Sequence, residues 1–184
     1  MKELSLNILD LAQNGIKAGA KLISLEVNED EAGYFVFRVR DDGCGMTPDM
    51  VQKIRDPFFT TRTTRKVGMG VSLVDMLTTQ CGGHLDITSV PGKGTLMEAY
   101  FAKDNIDRPP LGDLPVTMKV LVVGAPDLDF TLTYKHGATG FVFDTRKLRR
   151  ELGQLADFTS PVLYEWVEAF VRENIKAIHE KLEG

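Results

Sequence analysis

A chain of 184 residues, 43% of them hydrophobic, can bury a sizeable core as one domain, or as one domain with an appendage. Its net charge of −4 argues against a dedicated nucleic-acid binder, and its two cysteines, Cys44 and Cys81, give neither a disulfide framework nor a metal-ligand spacing. No apolar run approaches the ~20 residues that span a bilayer, and Met1-Lys2-Glu3-Leu4 lacks a secretory profile, so a cytoplasmic protein without a membrane partner is expected.

Glu3 to Ala20 reads as a helix, with Leu4, Ile8, Leu11 and Leu22 near helical spacing. Ile23, Leu25 and Val27 alternate with polar residues as in a strand, and the strand Tyr34 to Arg40 pairs with it across a polar turn. Phe35, Phe37 and Val39 share one side of that second strand. It stops at Asp41-Asp42-Gly43-Cys44-Gly45-Met46, where an acidic pair and two glycines let the backbone approach something flat. Thr47 caps a short helix with Pro48 in its first turn. Residues 60–70 are rich in Thr, Arg, Lys and Gly without periodicity and read as a loop; Ser72 to Gln80 reads as a helix ending at Gly82-Gly83. His84 to Thr88 and Thr95 to Phe101 make a second hairpin around Pro91-Gly92-Lys93-Gly94.

The polar, proline-bearing stretch 103–110 is expected to connect a first domain, 1–102, to an extension, 111–184. The extension reads as a helix near Asp113 to Val123, strands Phe130 to Tyr134 and Gly140 to Phe143, a helix Thr145 to Gly153, and a last helix Pro161 to Leu182. Leu163, Trp166, Val167, Phe170, Ile178 and Leu182 form an apolar stripe on that last helix. The extension carries no chemical motif; packing on the first domain, pairing with a second copy and docking a partner are its candidate roles.

Four segments stand in order: the helix bearing Asn14, the Asp41-to-Met46 loop, Asp56-Pro57-Phe58-Phe59-Thr60-Thr61, and Gly68-Met69-Gly70-Val71-Ser72-Leu73. Together they resemble the GHKL superfamily (the Bergerat fold) of DNA gyrase, a heat-shock chaperone, the mismatch-repair protein MutL, anti-sigma kinases and histidine-kinase catalytic domains. The histidine-kinase branch is the most similar, because Asp56 to Thr61 resembles the kinase F box and Gly82-Gly83-His84-Leu85 with Pro91-Gly92-Lys93-Gly94-Thr95 resembles the kinase tail. The resemblance covers about residues 1–102. It implies an α+β fold, a Bergerat-type α/β sandwich of a mixed sheet with helices on one face, and it implies ATP and Mg²⁺ as ligands.

Asp10, Asn14 and Lys17 lie in one row on the first helix. A carboxylate, an amide oxygen and an ammonium there suit a magnesium-nucleotide, although a solvated amphipathic face has the same pattern. In the family the Asn helps to bind the metal. The position of Asp10 carries a catalytic Glu in the gyrase and MutL branches and commonly Asn in kinases, so Asp10 is the candidate catalytic residue, one methylene shorter than Glu. By resemblance, Asp41 accepts a hydrogen bond from the adenine amino group, and Thr95 joins that network or serves as a plain strand residue. Gly43 and Gly45 let the backbone pass the ring, and Met46 packs beneath the base or fills the core. Gly68 and Gly70 offer backbone N–H groups to phosphate at a helix start, with Arg62, Arg65 and Lys66 supplying charge or solubility. Phe58 and Phe59 are read as hinge packing, and Cys44 as a small buried residue.

His84, His136 and His179 are the histidines available to a kinase acceptor, and His179 reads as a surface helical residue. With no helical hairpin expected before Leu4, a complete sensor kinase is not. Two function classes remain open. One is a stand-alone kinase or slow ATPase signalling through a partner or phosphoacceptor; the other is a non-catalytic ATP-gated module whose ATP/ADP state a partner reads, with homodimer formation open in either.

Overall fold

The computed structural model describes residues 3–59 and 69–184. In chain order the elements are α1 (Leu4–Lys17), β1 (Leu22–Glu31), β2 (Tyr34–Asp41), α2 (Pro48–Lys53), α3 (Met69–Gln80), β3 (His84–Val90), β4 (Gly94–Ala102), α4 (Leu114–Gly124), β5 (Asp129–His136), β6 (Thr139–Asp144), α5 (Thr145–Leu152) and α6 (Pro161–Glu183). Among the described residues six strands form one mixed sheet, ordered β3-β4-β2-β1-β5-β6, in which only the β1–β5 pair is parallel. The α+β class and the mixed sheet with helices on one face are therefore as expected. Residues 111–184 pack on the rest of the chain: β5 and β6 continue the sheet from β1, and α4 lies between α1 and α6.

Period-2 alternation decides which side chains face the helices. Ile23, Leu25 and Val27 of β1, Phe35, Phe37 and Val39 of β2, Met97, Ala99 and Phe101 of β4, and Phe130, Leu132 and Tyr134 of β5 are all buried. Against them α1 lays Leu4, Ile8, Leu11 and Ala12, α3 lays Val71 and Val74, and α4 lays Leu114, Met118 and Leu121. Each large side chain in that layer contributes roughly 1.5–3 kcal/mol by leaving water. The opposite sheet face is polar. At its centre the Arg38 guanidinium bonds to Glu31 (2.6 Å), Glu98 (2.9 Å) and Glu26 (3.2 Å).

The last helix differs from its reading. Leu163, Val167 and Ile178 are buried as the stripe implies, and Val171 joins them, but Trp166 is 44% exposed and Leu182 is 47% exposed. A 23-residue helix packs along only part of its length, and Trp166 stacks on Phe170 (ring centroids 5.0 Å apart) at the edge of the contact. Among the described residues no helix is long and apolar enough to cross a membrane.

Candidate functional site

Register places Asp41 where the core stripe of β2 runs out. Asp41 is opposite Ile23 on β1 and Thr95 on β4, and Thr95 is opposite Ser89 on β3. Directly opposite residues share a face, so Asp41, Thr95 and Ser89 point the same way as Ile23, toward the helices. Helix α1 crosses immediately above: a Cβ at Gly15 would lie 2.8 Å from the Asp41 Cβ. The glycine thus lets the helix pass over the carboxylate. Burial pushes the Asp41 carboxyl above its usual range; the Gly43 amide, donating at 2.9 Å, pulls it down, while the charge of Asp42 raises it further. Asp42 faces elsewhere and accepts the backbone N–H groups of Lys21 (2.7 Å) and Leu22 (3.0 Å). One acid of the pair faces the helix side of the sheet and the other ties β1 to the loop.

The loop after β2 is held by its backbone. The Cys44 amide donates to the Ala18 carbonyl (2.9 Å), and the Cys44 carbonyl accepts from the Gly92 amide (2.7 Å). Gly43 meets Ala18, where a Cβ would lie 2.8 Å from that residue's carbonyl oxygen. Gly45 turns with φ +67° at a point where a Cβ would be 2.1 Å from the Val90 oxygen. Because main chain rather than side chain packs here, Cys44 is exposed, which corrects its reading as a buried residue; Cys81 is the buried cysteine. Met46 is half-buried against the core, its amide donating to Ser89 Oγ (2.8 Å), and Ser89 Oγ lies 2.8 Å from Thr95 Oγ1.

Asp10 and Asn14 are half-buried on α1, and Lys17 is exposed at its end. Burial pushes the Asp10 carboxyl upward while Lys17 pulls it down. Gly70, in the first turn of α3, faces Asp10: a Cβ there would be 3.4 Å from the Asp10 Cβ. The Asp10 end of the helix row and the start of α3 are thus neighbours. Arg55 fixes the approach to α3, pairing with Asp75 (2.7 Å) and donating to the Leu85 carbonyl (2.7 Å). Phe58 is 92% exposed and so is not hinge packing; Phe59 is only partly covered. Arg62, Arg65, Lys66 and Gly68 lie outside the described residues.

Two contributors escape sequence reasoning. Gly15 has no side chain to attract notice, and its signal is only that it is a glycine within an otherwise good helix. Ser89 looks like any polar strand residue. The donor set suits the ligands that the motifs imply. Asp10 and Asn14 offer hard oxygen ligands for magnesium, and Gly15 and Gly43 each bring a residue without a Cβ against Asp41.

Residues 2–105 match the family described as histidine kinase-, DNA gyrase B- and HSP90-like ATPase. The chain belongs to this family. It therefore carries an ATP-binding, histidine-kinase-like ATPase domain. Among curated proteins it is similar to the sensor kinase CckA of Brucella abortus, 39% identical over 90 residues that cover 48% of this chain and 9% of that one. It is also similar to the sensor histidine kinase ZraS of Klebsiella oxytoca, 35% identical over 96 residues, 51% of this chain and 21% of that one. The chain thus spans at most about a fifth of the length of these relatives. In fold it is similar to the crystal structure of the N-terminal domain of a DNA repair protein, with TM-score 0.54 and 15% identity, covering 79% of this chain and 52% of that one.

Proposed function

We propose that the chain binds ATP with magnesium between α1, the end of β2, the β3–β4 turn and the start of α3, and that it signals through a protein partner as a kinase or slow ATPase. Asp41 accepts from the adenine amino group, with Thr95 beside it, Gly43 and Gly45 along the ring and Met46 beneath. Asn14 and Asp10 hold the metal, which neutralises phosphate charge when bound. Lys17, Gly68 and Gly70, with Arg62 and Lys66, meet the phosphates. The observation that supports this reading most is the placement of one carboxylate on a core-facing stripe, under a helix that has a glycine at the crossing. A half-buried acceptor built to pair with one base edge discriminates against bases that lack the matching donor.

Asp10 acts as the base toward water or an acceptor hydroxyl. Burial raises its proton affinity, which favours that role at neutral pH. Asp10→Asn, which keeps an oxygen ligand for the metal but removes the base, is expected to abolish phosphate release and transfer while leaving ATP affinity within about threefold, read by incubation with γ-labelled ATP alone and with cell extract. Label on another protein identifies a kinase and free phosphate an ATPase. Asn14→Ala is expected to remove the magnesium dependence of ATP affinity; a variant whose affinity still rises with magnesium would take Asn14 out of the metal site.

A second reading has its own support. α1 packs on α4, and α4 on α6, so a ligand that steadies α1 also steadies the C-terminal helices. In that case nucleotide occupancy is the output and the partner reads the C-terminal face. ATP binding with neither labelled protein nor free phosphate would favour this switch over the enzyme.

A further inference from the structure

The inward stripes of β1 and β5 end in polar groups at the sheet end away from Asp41. Ile23 and Glu29 are six residues apart on β1, about 20 Å along a strand. Beyond Val27 comes Glu29, and beyond Tyr134 comes His136 on the parallel neighbour. Helix α6 brings His179 to the same point. His179 Nε2 lies 3.1 Å from Glu29 Oε1, and His136 Nδ1 lies 3.0 Å from Glu29 Oε2. The carboxylate therefore stands between two imidazoles, one oxygen toward each, with a ligand atom from all three residues within 4.8 Å of one another.

We propose that Glu29, His136 and His179 form a binding site for a divalent transition-metal ion of the zinc class. Hydrogen bonding alone leaves the cluster incomplete: His136 Nδ1 is buried without a hydrogen-bond partner, although it is within ion-pair distance of Glu29. Buried polar atoms of this kind are nearly always satisfied, and a cation between ring and carboxylate satisfies both. Ligand atoms on a tetrahedral ion with bonds near 2.1 Å are separated by roughly 3.4 Å, and the two histidine–carboxylate separations of 3.1 and 3.0 Å need only a small adjustment. Two imidazoles and a carboxylate favour zinc, cobalt or nickel over magnesium, which prefers oxygen. Tyr134 supplies the supporting contact that ligating carboxylates usually have, its phenol donating to Glu29 Oε1. A cavity of about 430 Å³, lined in part by Glu29, Tyr134, His179, Arg172 and Lys176, gives the ion a path from solvent and leaves room for water as a further ligand. The ion would clamp α6 to the sheet.

The test is titration of the untagged full chain with Co²⁺ and Zn²⁺, followed by visible absorption, metal analysis after gel filtration, and thermal melting. One ion per chain is expected, with the intense visible bands of low-coordinate cobalt and a melting temperature several degrees higher with zinc. His179→Gln and His136→Gln should each abolish all three signals, while His84→Gln and Cys44→Ser retain them. His179 projects from a partly exposed helix face, so its variant decides the matter if the His136 variant does not fold. Substoichiometric metal, or binding that survives in His179→Gln, would overturn the site.

Discussion

Asp41→Asn should weaken ATP binding on the order of 10- to 100-fold, the equivalent of about 1.5–3 kcal/mol for a hydrogen bond to a charged group. The substitution preserves shape, and an Asn oxygen can still accept the Gly43 amide, so the loop has no reason to move. What changes is the charge presented to the base. Stability should go the other way. Burial raises the carboxyl's folded-state pKa above its unfolded value, so ionisation opposes folding. That penalty is absent below the unfolded pKa and grows as pH rises through the unfolded and then the folded value. At neutral pH the variant should therefore melt no lower than the parent, and the difference should narrow in acid. Melting by circular dichroism across pH, beside affinity for a fluorescent ATP analogue, tests both halves. Unchanged affinity would remove Asp41 from the adenine site, and a collapse in melting temperature would make it a structural residue.

Gly94→Ala should be destabilising by about 3 kcal/mol or more, through the backbone rather than through any lost contact. Gly94 has φ +100°, where a side chain is strained, and its Cβ would lie 2.0 Å from the Asp41 carbonyl oxygen and 2.8 Å from the Asp42 Cα. The clash is with main chain on both counts, so no rotamer change relieves it. To admit the methyl group, β4 must separate from β2 at the Asp41–Thr95 pair, the row that also carries Ser89. Fold and nucleotide affinity should fall together, in contrast to Asp41→Asn, where they separate. A melting temperature within a degree or two of the parent would mean that this corner of the sheet yields more easily than its packing implies.

Much of this is legible in the chain because the signals are local. Phe35, Phe37 and Val39 alternate on to Asp41, so the pattern that makes β2 a half-buried strand also turns this carboxylate inward. Thr47 and Pro48 open α2 as their chemistry implies, with Thr47 Oγ1 accepting the Met50 amide. The glycines at 43, 45 and 94 stand where backbone meets backbone. Other features depend on partners distant in sequence. Nothing near Leu25 says that its parallel neighbour is Leu132. Glu29 and His179 are 150 positions apart, and only the packing of α6 brings them together. Trp166 satisfies the periodicity of a buried stripe and is nevertheless half outside, because periodicity gives a direction and not the extent of the surface that meets it. Cys44 errs for a related reason: a loop packed by its amides and carbonyls leaves its side chain in water.

The most direct measurement is calorimetric titration of the protein with ADP and, separately, with GDP, both in magnesium buffer. The two ligands share sugar and phosphates and differ in the group that faces an acceptor such as Asp41. Saturable one-site binding of ADP, with GDP at least roughly tenfold weaker, is the expected result. No heat with ADP, or equal affinity for the two, would contradict an adenine held by this carboxylate.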